Sequence, residues 1–162
     1  MTTDTCATCG RASDAHDRHV RFTLPDPILD LPDWEQTPGF WMSHETPVES
    51  VMMQVEGYGA FIRALLPIHL EGGHKLTYGV WIGVHPAALQ EAFAVWWGEN
   101  PAYLDLRLDG ILANRLEPWD LFAVPVIATV KNQDETPYCT ESSDPLLSRV
   151  LTEEWPHETV LS

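Results

Sequence analysis

The chain has 162 residues, and its 24 Asp and Glu against 9 Lys and Arg give a formal net charge of −15. This acid excess excludes nucleic-acid phosphate and anionic membranes as favourable partners, because like charges repel, and it favours cations and basic protein surfaces. The 44% apolar fraction and the seven Trp exclude a disordered chain and predict one domain with a substantial core.

The distribution of apolar residues predicts how the chain is organised. Residues 1–21 are polar and predict a loop-rich arm that bears Cys and His, whereas residues 22–162 predict a single folded domain. No apolar run approaches the roughly 20 residues that a membrane helix needs. The segment from Met1 to Gly10 lacks the basic and apolar regions of a secretory signal. We therefore expect a cytoplasmic protein.

The first half of the domain is predicted to be mostly extended. Three prolines between Phe22 and Trp34 exclude a long helix and predict an extended segment that covers the body of the fold. Runs rich in β-formers predict strands at 51–55, 60–66 and 76–84. The pair Gly72-Gly73 lies between the last two strands and is typical of a hairpin turn.

The second half combines helices and strands. A proline at the first helical position and apolar residues at helical spacing predict a helix over 86–97. Alternation predicts a strand at 103–108, and a β-branched run predicts another at 121–130, where Pro125 requires an edge or a bulge. Asp144-Pro145 is typical of a helix start. These elements predict an α+β fold, with a mostly antiparallel sheet, one or two packed helices and an N-terminal Cys/His arm that resembles a zinc knuckle.

The N-terminal arm has a pattern typical of a structural zinc site. Cys6 and Cys9 form a Cys-x-x-Cys motif, and His16 and His19 follow it. Because zinc takes four tetrahedral ligands from such side chains, these four residues are the predicted metal ligands and zinc is the predicted cofactor. A free-thiol arm and a redox pair are the alternatives; the redox pair is disfavoured because nothing places the motif at a helix start after a strand. Cys139 is either a small buried side chain or a further ligand.

Arg63 is a single charge inside the apolar strand AFIRALL. A buried guanidinium needs acceptors, and bidentate binding to a carboxylate is the usual solution. Two interpretations follow: an ion pair between the strand and a loop, or an arginine that binds an anion in a cleft. In the second case Arg63, Trp81 and His85 are the predicted residues of a ligand or anion pocket.

Most of the seven Trp are predicted to pack in the core or at its rim. Trp96 and Trp97 are adjacent and cannot share one narrow helix face, so we expect one of them at the edge of a pocket or interface. Aromatic side chains beside acids suit a protein interface or a cationic ligand.

Four short motifs occur along the chain in a recognisable order, followed by a helix that begins after Val84: Cys6-Ala-Thr-Cys9-Gly10, Pro25-Asp26, Phe61-Ile62-Arg63 and Tyr78-Gly79-Val80-Trp81. This order resembles the bacterial family known as domain of unknown function 2199, and the pairing of the Phe-Ile-Arg and Gly-Val-Trp strands is its most specific part. The resemblance implies a fold and no reaction. In that family a histidine follows the Cys-x-x-Cys-Gly motif where this chain has Ser13, and His16 and His19 are the candidates to replace it.

Two functions fit these features. The first is a binding protein with a structural zinc knuckle, acting on a protein partner that the acid excess predicts to be basic; an immunity or antitoxin-like protein that masks a basic toxin is one version. The second is a metal-dependent enzyme that acts on a small carboxylate-bearing metabolite near Arg63, Trp81 and His85. The sequence has no nucleophile elbow, phosphate loop or dinucleotide fingerprint. Four protein ligands on the metal favour the binding protein, whereas three ligands and a water favour the enzyme.

Overall fold

The computed structural model of the chain describes residues 19–31 and 33–161. Its strands are β1 His19–Arg21, β2 Trp41–Met42, β3 Met52–Val55, β4 Gly59–Leu70, β5 His74–Val84, β6 Arg107–Leu112, β7 Pro125–Thr129, β8 Tyr138–Glu141 and β9 Glu154–Trp155. Its helices are α1 Asp26–Leu29, α2 Pro86–Trp96, α3 Pro145–Thr152 and α4 His157–Leu161, with 3-10 turns at Trp34–Gln36 and Pro101–Asp105. The chain is an α+β protein, and most of these strands pair antiparallel, as the sequence predicts.

The long hairpin of β4 and β5 is the centre of the fold. The two strands pair antiparallel from Ala60 opposite Val84 to Leu70 opposite His74. The turn between them contains Gly72-Gly73 at φ +83° and +81°, a left-handed conformation that glycine adopts without steric cost. The hairpin predicted from the sequence is confirmed, and both strands are longer than predicted.

Five strands close into a barrel-like ring. β5 pairs with β6, β6 with β7 and β7 with β8, all antiparallel. β8 returns to β4 through the parallel pairing of Leu65 with Tyr138, where the Leu65 N–H donates to the Pro137 carbonyl at 2.8 Å. Closing the ring gives hydrogen-bond partners to the strand edges that an open sheet would expose. Outside the ring, β3 pairs with the first half of β4, and β2 pairs with β3.

Alternation along β4 gives the hairpin two buried faces. The even-numbered residues from Ala60 to Leu70 face the larger core, against which α2 and α3 pack. Phe61 and Trp81 face the other way, into a smaller cluster with Leu24 and Ile28. We call residues 22–31 and 33–34 the covering segment, because their apolar side chains cover this second face of the hairpin, as the sequence predicts.

Both long helices begin where the sequence predicts. His85 caps α2 because its Nδ1 accepts the Ala87 N–H at 3.0 Å, and Asp144 caps α3 because it accepts the Leu147 N–H at 2.9 Å. A proline follows each cap at the first helical position. None of the helices in the described part of the chain has the length and apolar character needed to cross a membrane.

The prediction of a strand at 103–108 is wrong. Residues Pro101–Asp105 form a 3-10 turn, and β6 begins only at Arg107. The Asn100 side chain accepts the Ala102 N–H at 3.0 Å and so caps this turn. This local capping overrides the alternation of leucines that predicted a strand.

Two proline predictions also need correction. Of the edge or bulge predicted from Pro125, the edge is wrong, since β7 lies between β6 and β8. β7 does have an irregularity in its pairing with β8, between Ile127 and Ala128. Pro125 itself is the first residue of β7, where a strand tolerates a missing N–H. The covering segment is not extended throughout, because α1 forms one helical turn with Pro27 in its first turn.

Candidate functional site

Arg63 lies in the middle of β4, and its side chain is fully buried. Its guanidinium donates four hydrogen bonds to backbone carbonyl oxygens, those of Phe22, Gly79 at 3.0 Å, Pro47 at 3.0 Å and Ser50 at 3.3 Å. Its Cζ lies 4.0 Å from the centroid of the Trp81 ring. No carboxylate of the described residues pairs with Arg63, so the expected ion pair is not formed there. Carbonyl dipoles and the face of an aromatic ring compensate the buried charge instead.

A second arginine, Arg21, binds the same loop as Arg63. Arg21 donates to the carbonyls of Val48 and Ser50, the second at 3.3 Å, so both arginines hold the loop of residues 43–50. Burial, and after it the positive charge of Arg21, lowers the pKa of Arg63 to about 9. The guanidinium therefore still carries its charge at pH 7, where the carbonyls bind it.

Trp81 and Asn114 add further hydrogen bonds to the chain that covers the hairpin. We call Arg21, Arg63, Trp81 and Asn114, with the groups that they bind, the polar layer. The Trp81 Nε1–H donates to the Thr23 carbonyl at 3.2 Å, and the Trp81 backbone N–H donates to the Asn114 side chain at 2.7 Å. The Asn114 amide donates to the Leu24 carbonyl at 2.8 Å and to Asp26 Oδ1 at 3.0 Å. Buried side chains thus donate hydrogen bonds to carbonyls of the covering segment. These carbonyls need such donors because the irregular backbone of this segment does not form all the hydrogen bonds of a helix or a sheet.

The layer brings together residues that lie far apart in sequence. Asp26, Arg63 and Trp81 belong to three of the short motifs of the sequence, and all three lie in this layer. Asn114, which links them, is a residue that the sequence analysis missed. A single Asn after a strand has no spacing pattern, and its burial is the property that marks it.

The other predicted site residues lie elsewhere. Cys6, Cys9, His16 and the His19 side chain lie outside the described residues, although the His19 backbone opens β1 opposite Thr77 of β5. His85 is exposed at the start of α2 and borders a cavity. Arg63 and Trp81 are in contact and fully enclosed, so an anion at Arg63 would have to displace its carbonyl acceptors.

The described residues contain no group of three or more His, Cys, Asp or Glu arranged to hold a metal ion. Within them, Cys139 of β8 is a buried side chain opposite Ala128. Burial raises the pKa of its thiol to about 12.

Aromatic rings in contact with one another lie on and next to α2 and β2. Four of them are exposed and Trp96 is partly buried. We call them together the aromatic patch: Trp41, His44, Phe93, Trp96 and Trp97. Neighbouring ring centroids lie 5.6 Å apart for Phe93 and Trp97, and 5.9 Å apart for both Trp41 with Phe93 and His44 with Trp97. Trp41, Phe93 and Trp97 are 40%, 46% and 42% exposed. The sequence predicts one of the adjacent tryptophans at the edge of a pocket or interface. The spacing of four between Phe93 and Trp97 is the signal that could have added the second ring.

Acidic residues accompany the aromatic patch. The two stretches of chain that supply it, 41–62 and 76–106, contain no Lys or Arg. They contain six acids, which are Glu45, Glu49, Glu56, Glu91, Glu99 and Asp105. These two stretches of chain therefore bring negative charge and no Lys or Arg charge to the part of the fold that carries the patch.

Two adjoining cavities lie beside α1. They measure about 380 and 500 Å³ and share Pro27 and Phe122. We call them together the groove. Its first part is mostly apolar and reaches His85, and its second part contains Asp30 and Arg115.

The fold and these surfaces define a small α+β protein with a sheet-dominated, barrel-like core. Residues 5–151 match the family described as an uncharacterized protein conserved in bacteria, DUF2199, and the chain belongs to this family. No curated protein and no solved structure matches the chain. The family resemblance noted in the sequence is thereby confirmed.

Replacing Arg63 by Met is expected to lower the free energy of unfolding by about 2–4 kcal/mol. The Phe22 carbonyl loses its side-chain donor, and the carbonyls of Gly79, Pro47 and Ser50 each lose one of their donors. Arg63→Lys should lie between this variant and the wild type, since one ammonium cannot span four acceptors. Urea unfolding followed by Trp fluorescence measures both. Arg115→Met, at an exposed arginine paired with Asp120, is the control and should change stability by less than about 1 kcal/mol. Equal losses at Arg63 and Arg115 would contradict this account.

The buried thiol predicts a loss of stability at alkaline pH. Cys139 ionises in the unfolded chain from about pH 9, whereas in the folded chain its pKa is about 12, so its contribution to stability falls between these values. From pH 8 to pH 10 the loss should be about 1.4 kcal/mol. Urea unfolding of wild type and Cys139→Ala at both pH values isolates this contribution, because the other titrating groups are common to both. An identical pH dependence in the two proteins would show that Cys139 is not buried as a thiol.

Proposed function

We propose that the chain is a cytoplasmic binding protein without catalysis of its own, and that its aromatic patch docks a basic protein. The observation that carries the proposal is that Phe93 contacts both Trp41 and Trp97 while all three rings remain 40–46% exposed. Large aromatic side chains gathered on a surface are typical of the centre of a protein interface.

The aromatic patch has the geometry of an interface centre. Trp41 and Phe93 also border a depression of about 330 Å³ together with Leu89, which would accept one side chain of a partner. Trp97 is supported by the partly buried Trp96, whose ring centroid lies 6.5 Å from that of Trp97 and 5.2 Å from that of the buried Tyr103. A partner would therefore meet a surface that is largely formed before binding, which lowers the entropic cost of association.

The negative charge of the chain favours a basic partner. A chain with a net charge of −15 attracts a basic protein over long range, and this attraction speeds association. At contact, Lys or Arg side chains can lie over the faces of Trp41 and Trp97 while nearby carboxylates neutralise them. An immunity or antitoxin-like protein that masks a basic toxin is one version of this function.

The N-terminal arm contributes a structural zinc site in this proposal. Cys6, Cys9, His16 and His19 are the proposed ligands, since thiolates and imidazoles are the side chains zinc prefers. Metal binding would supply folding free energy to a segment too polar to pack by itself. The register of β1 on β5 supports a structural role, because it attaches the end of the arm to the central hairpin.

A photo-crosslinking residue at Phe93 should form an adduct with a basic protein in cells of the source bacterium. The reason is that Phe93 lies between Trp41 and Trp97 in the aromatic patch. Mass spectrometry identifies the adduct. When Trp97→Ala is introduced into the protein with the crosslinking residue, the yield of the adduct should fall at least about fivefold, as expected when an interface anchor is removed.

Leu104 is the matched control, because it is 45% exposed and apolar but is not part of the aromatic patch. Three outcomes would overturn the proposal: adducts of the same proteins from Leu104 and Phe93, an acidic protein as the main adduct, or an adduct with a second copy of the chain alone.

Purification without a His tag, followed by elemental mass spectrometry, should give about one zinc per chain. Cys9→Ser should lose the metal, because it removes one of two thiolates. Cys139→Ser, which changes a cysteine outside the proposed ligand set, is the control and should retain it. A wild-type protein without zinc, or loss from the Cys139 variant alone, would contradict the proposed ligands.

A further inference from the structure

We propose that the groove beside α1 binds a small organic cation, with an amine or guanidine at its charged end and an apolar body. The groove shares no residue with the aromatic patch. The inference therefore goes beyond the function proposed above and does not depend on it.

The groove has the size and lining of a ligand site. Its cavities of about 380 and 500 Å³ lie within the range of roughly 300–1,000 Å³ typical of small-molecule pockets. Tyr58, Phe61, Ile111 and Phe122 line the first cavity. Tyr58 and Ile111 are each 48% exposed, so apolar surface is available there to the body of a ligand.

Backbone contacts fix the floor of the groove. A Cβ at Gly110 would lie 2.3 Å from the Gly83 carbonyl oxygen, and a Cβ at Gly83 would lie 3.3 Å from Ile111 Cγ1. β5 and β6 approach each other so closely that Gly110 has no room for a side chain and that a Cβ at Gly83 would be in tight contact. The apolar surface between Phe61 and Ile111 is therefore formed before any ligand arrives.

One wall of the groove is formed by Ala113, Arg115, Phe122 and Ala123. The segment of chain that supplies this wall has two strained backbones. Asp120 and Ala123 have φ of +57° and +59°, a region that residues with a Cβ adopt at a cost. Such strain persists only where neighbours impose it, and it is frequent at ligand sites. Here Asn114 binds Asp26 at 3.0 Å, which holds the wall against α1.

The charges of the groove favour a cation. Asp109 lines the first cavity and Asp30 the second, and neither carboxylate forms an ion pair with the described residues. Arg115 lines the second cavity, but Asp120 already pairs with it. A cationic end would meet a carboxylate in either cavity, whereas an anionic end would be repelled by both aspartates.

Three probes with the same phenyl group and different end groups test this inference: 2-phenylethylamine, 2-phenylethanol and 3-phenylpropionate. Each is titrated into the ¹⁵N-labelled full chain at pH 8 while the amide signals of its glycines are followed. Gly59, Gly83 and Gly110 report on the groove, and Gly98, next to Trp97, reports on the aromatic patch. The amine should shift the groove glycines saturably and bind at least about fivefold tighter than the alcohol, and the acid should not bind.

Asp109→Asn should weaken binding of the amine about threefold and leave the alcohol unchanged. Asp105→Asn removes the same charge from the same residue type outside the groove and is the matched control, with no change expected beyond the error of the titration. The proposal is overturned by saturable shifts at Gly98 alone, by equal affinity for the three probes, by no saturable shift, or by equal effects of the two Asp variants. None of these results would alter the crosslink expected at Phe93.

Discussion

The structure depends on a buried cation that is bound by backbone carbonyls. The outer face of the β4–β5 hairpin is covered by irregular chain, and irregular chain that is buried must find partners for its peptide groups. Arg63 donates to carbonyls on the covering segment, on the loop of residues 43–50 and on β5 itself. A rigid, planar group with five N–H donors can satisfy such dispersed acceptors, which a lysine cannot.

This polar layer connects the two surfaces to which we assign binding. On one side, Arg63 and Arg21 fix the loop of residues 43–50, and His44 of that loop contacts Trp97 in the aromatic patch. On the other side, Asn114 joins the covering segment to the wall of the groove. Neither surface touches the Arg63 guanidinium, yet both are held in place by the layer to which it belongs. The two surfaces are thus positioned by a common interior, which reduces the ordering that a partner or ligand must impose.

The sequence predicted those elements whose structure depends on residues close together in the chain. The hairpin, α2 and α3 have prolines, caps and apolar spacing within a few residues, and all three were predictable. The partner of Arg63 was not predictable, because its acceptors are carbonyls, which every residue has. The alternation around Leu104 and Leu106 predicted a strand, but the cap at Asn100 decided the structure. The aromatic patch was visible only in part, since β2 and α2 meet through the fold; the zinc ligands of the arm stay a prediction from spacing.

The measurement that tests the central claim most directly is native-state hydrogen exchange of wild type and Arg63→Lys, read residue by residue by NMR. The Phe22 and Asp26 amides donate to Gly79 and Ala113 and report on the covering segment, whereas Leu66 and Ile68 report on the hairpin. If Arg63 holds the covering segment, the first pair loses protection in the variant far more than the second pair does. Unchanged protection at Phe22 and Asp26 would show that apolar contacts alone hold the segment, and the account would be wrong.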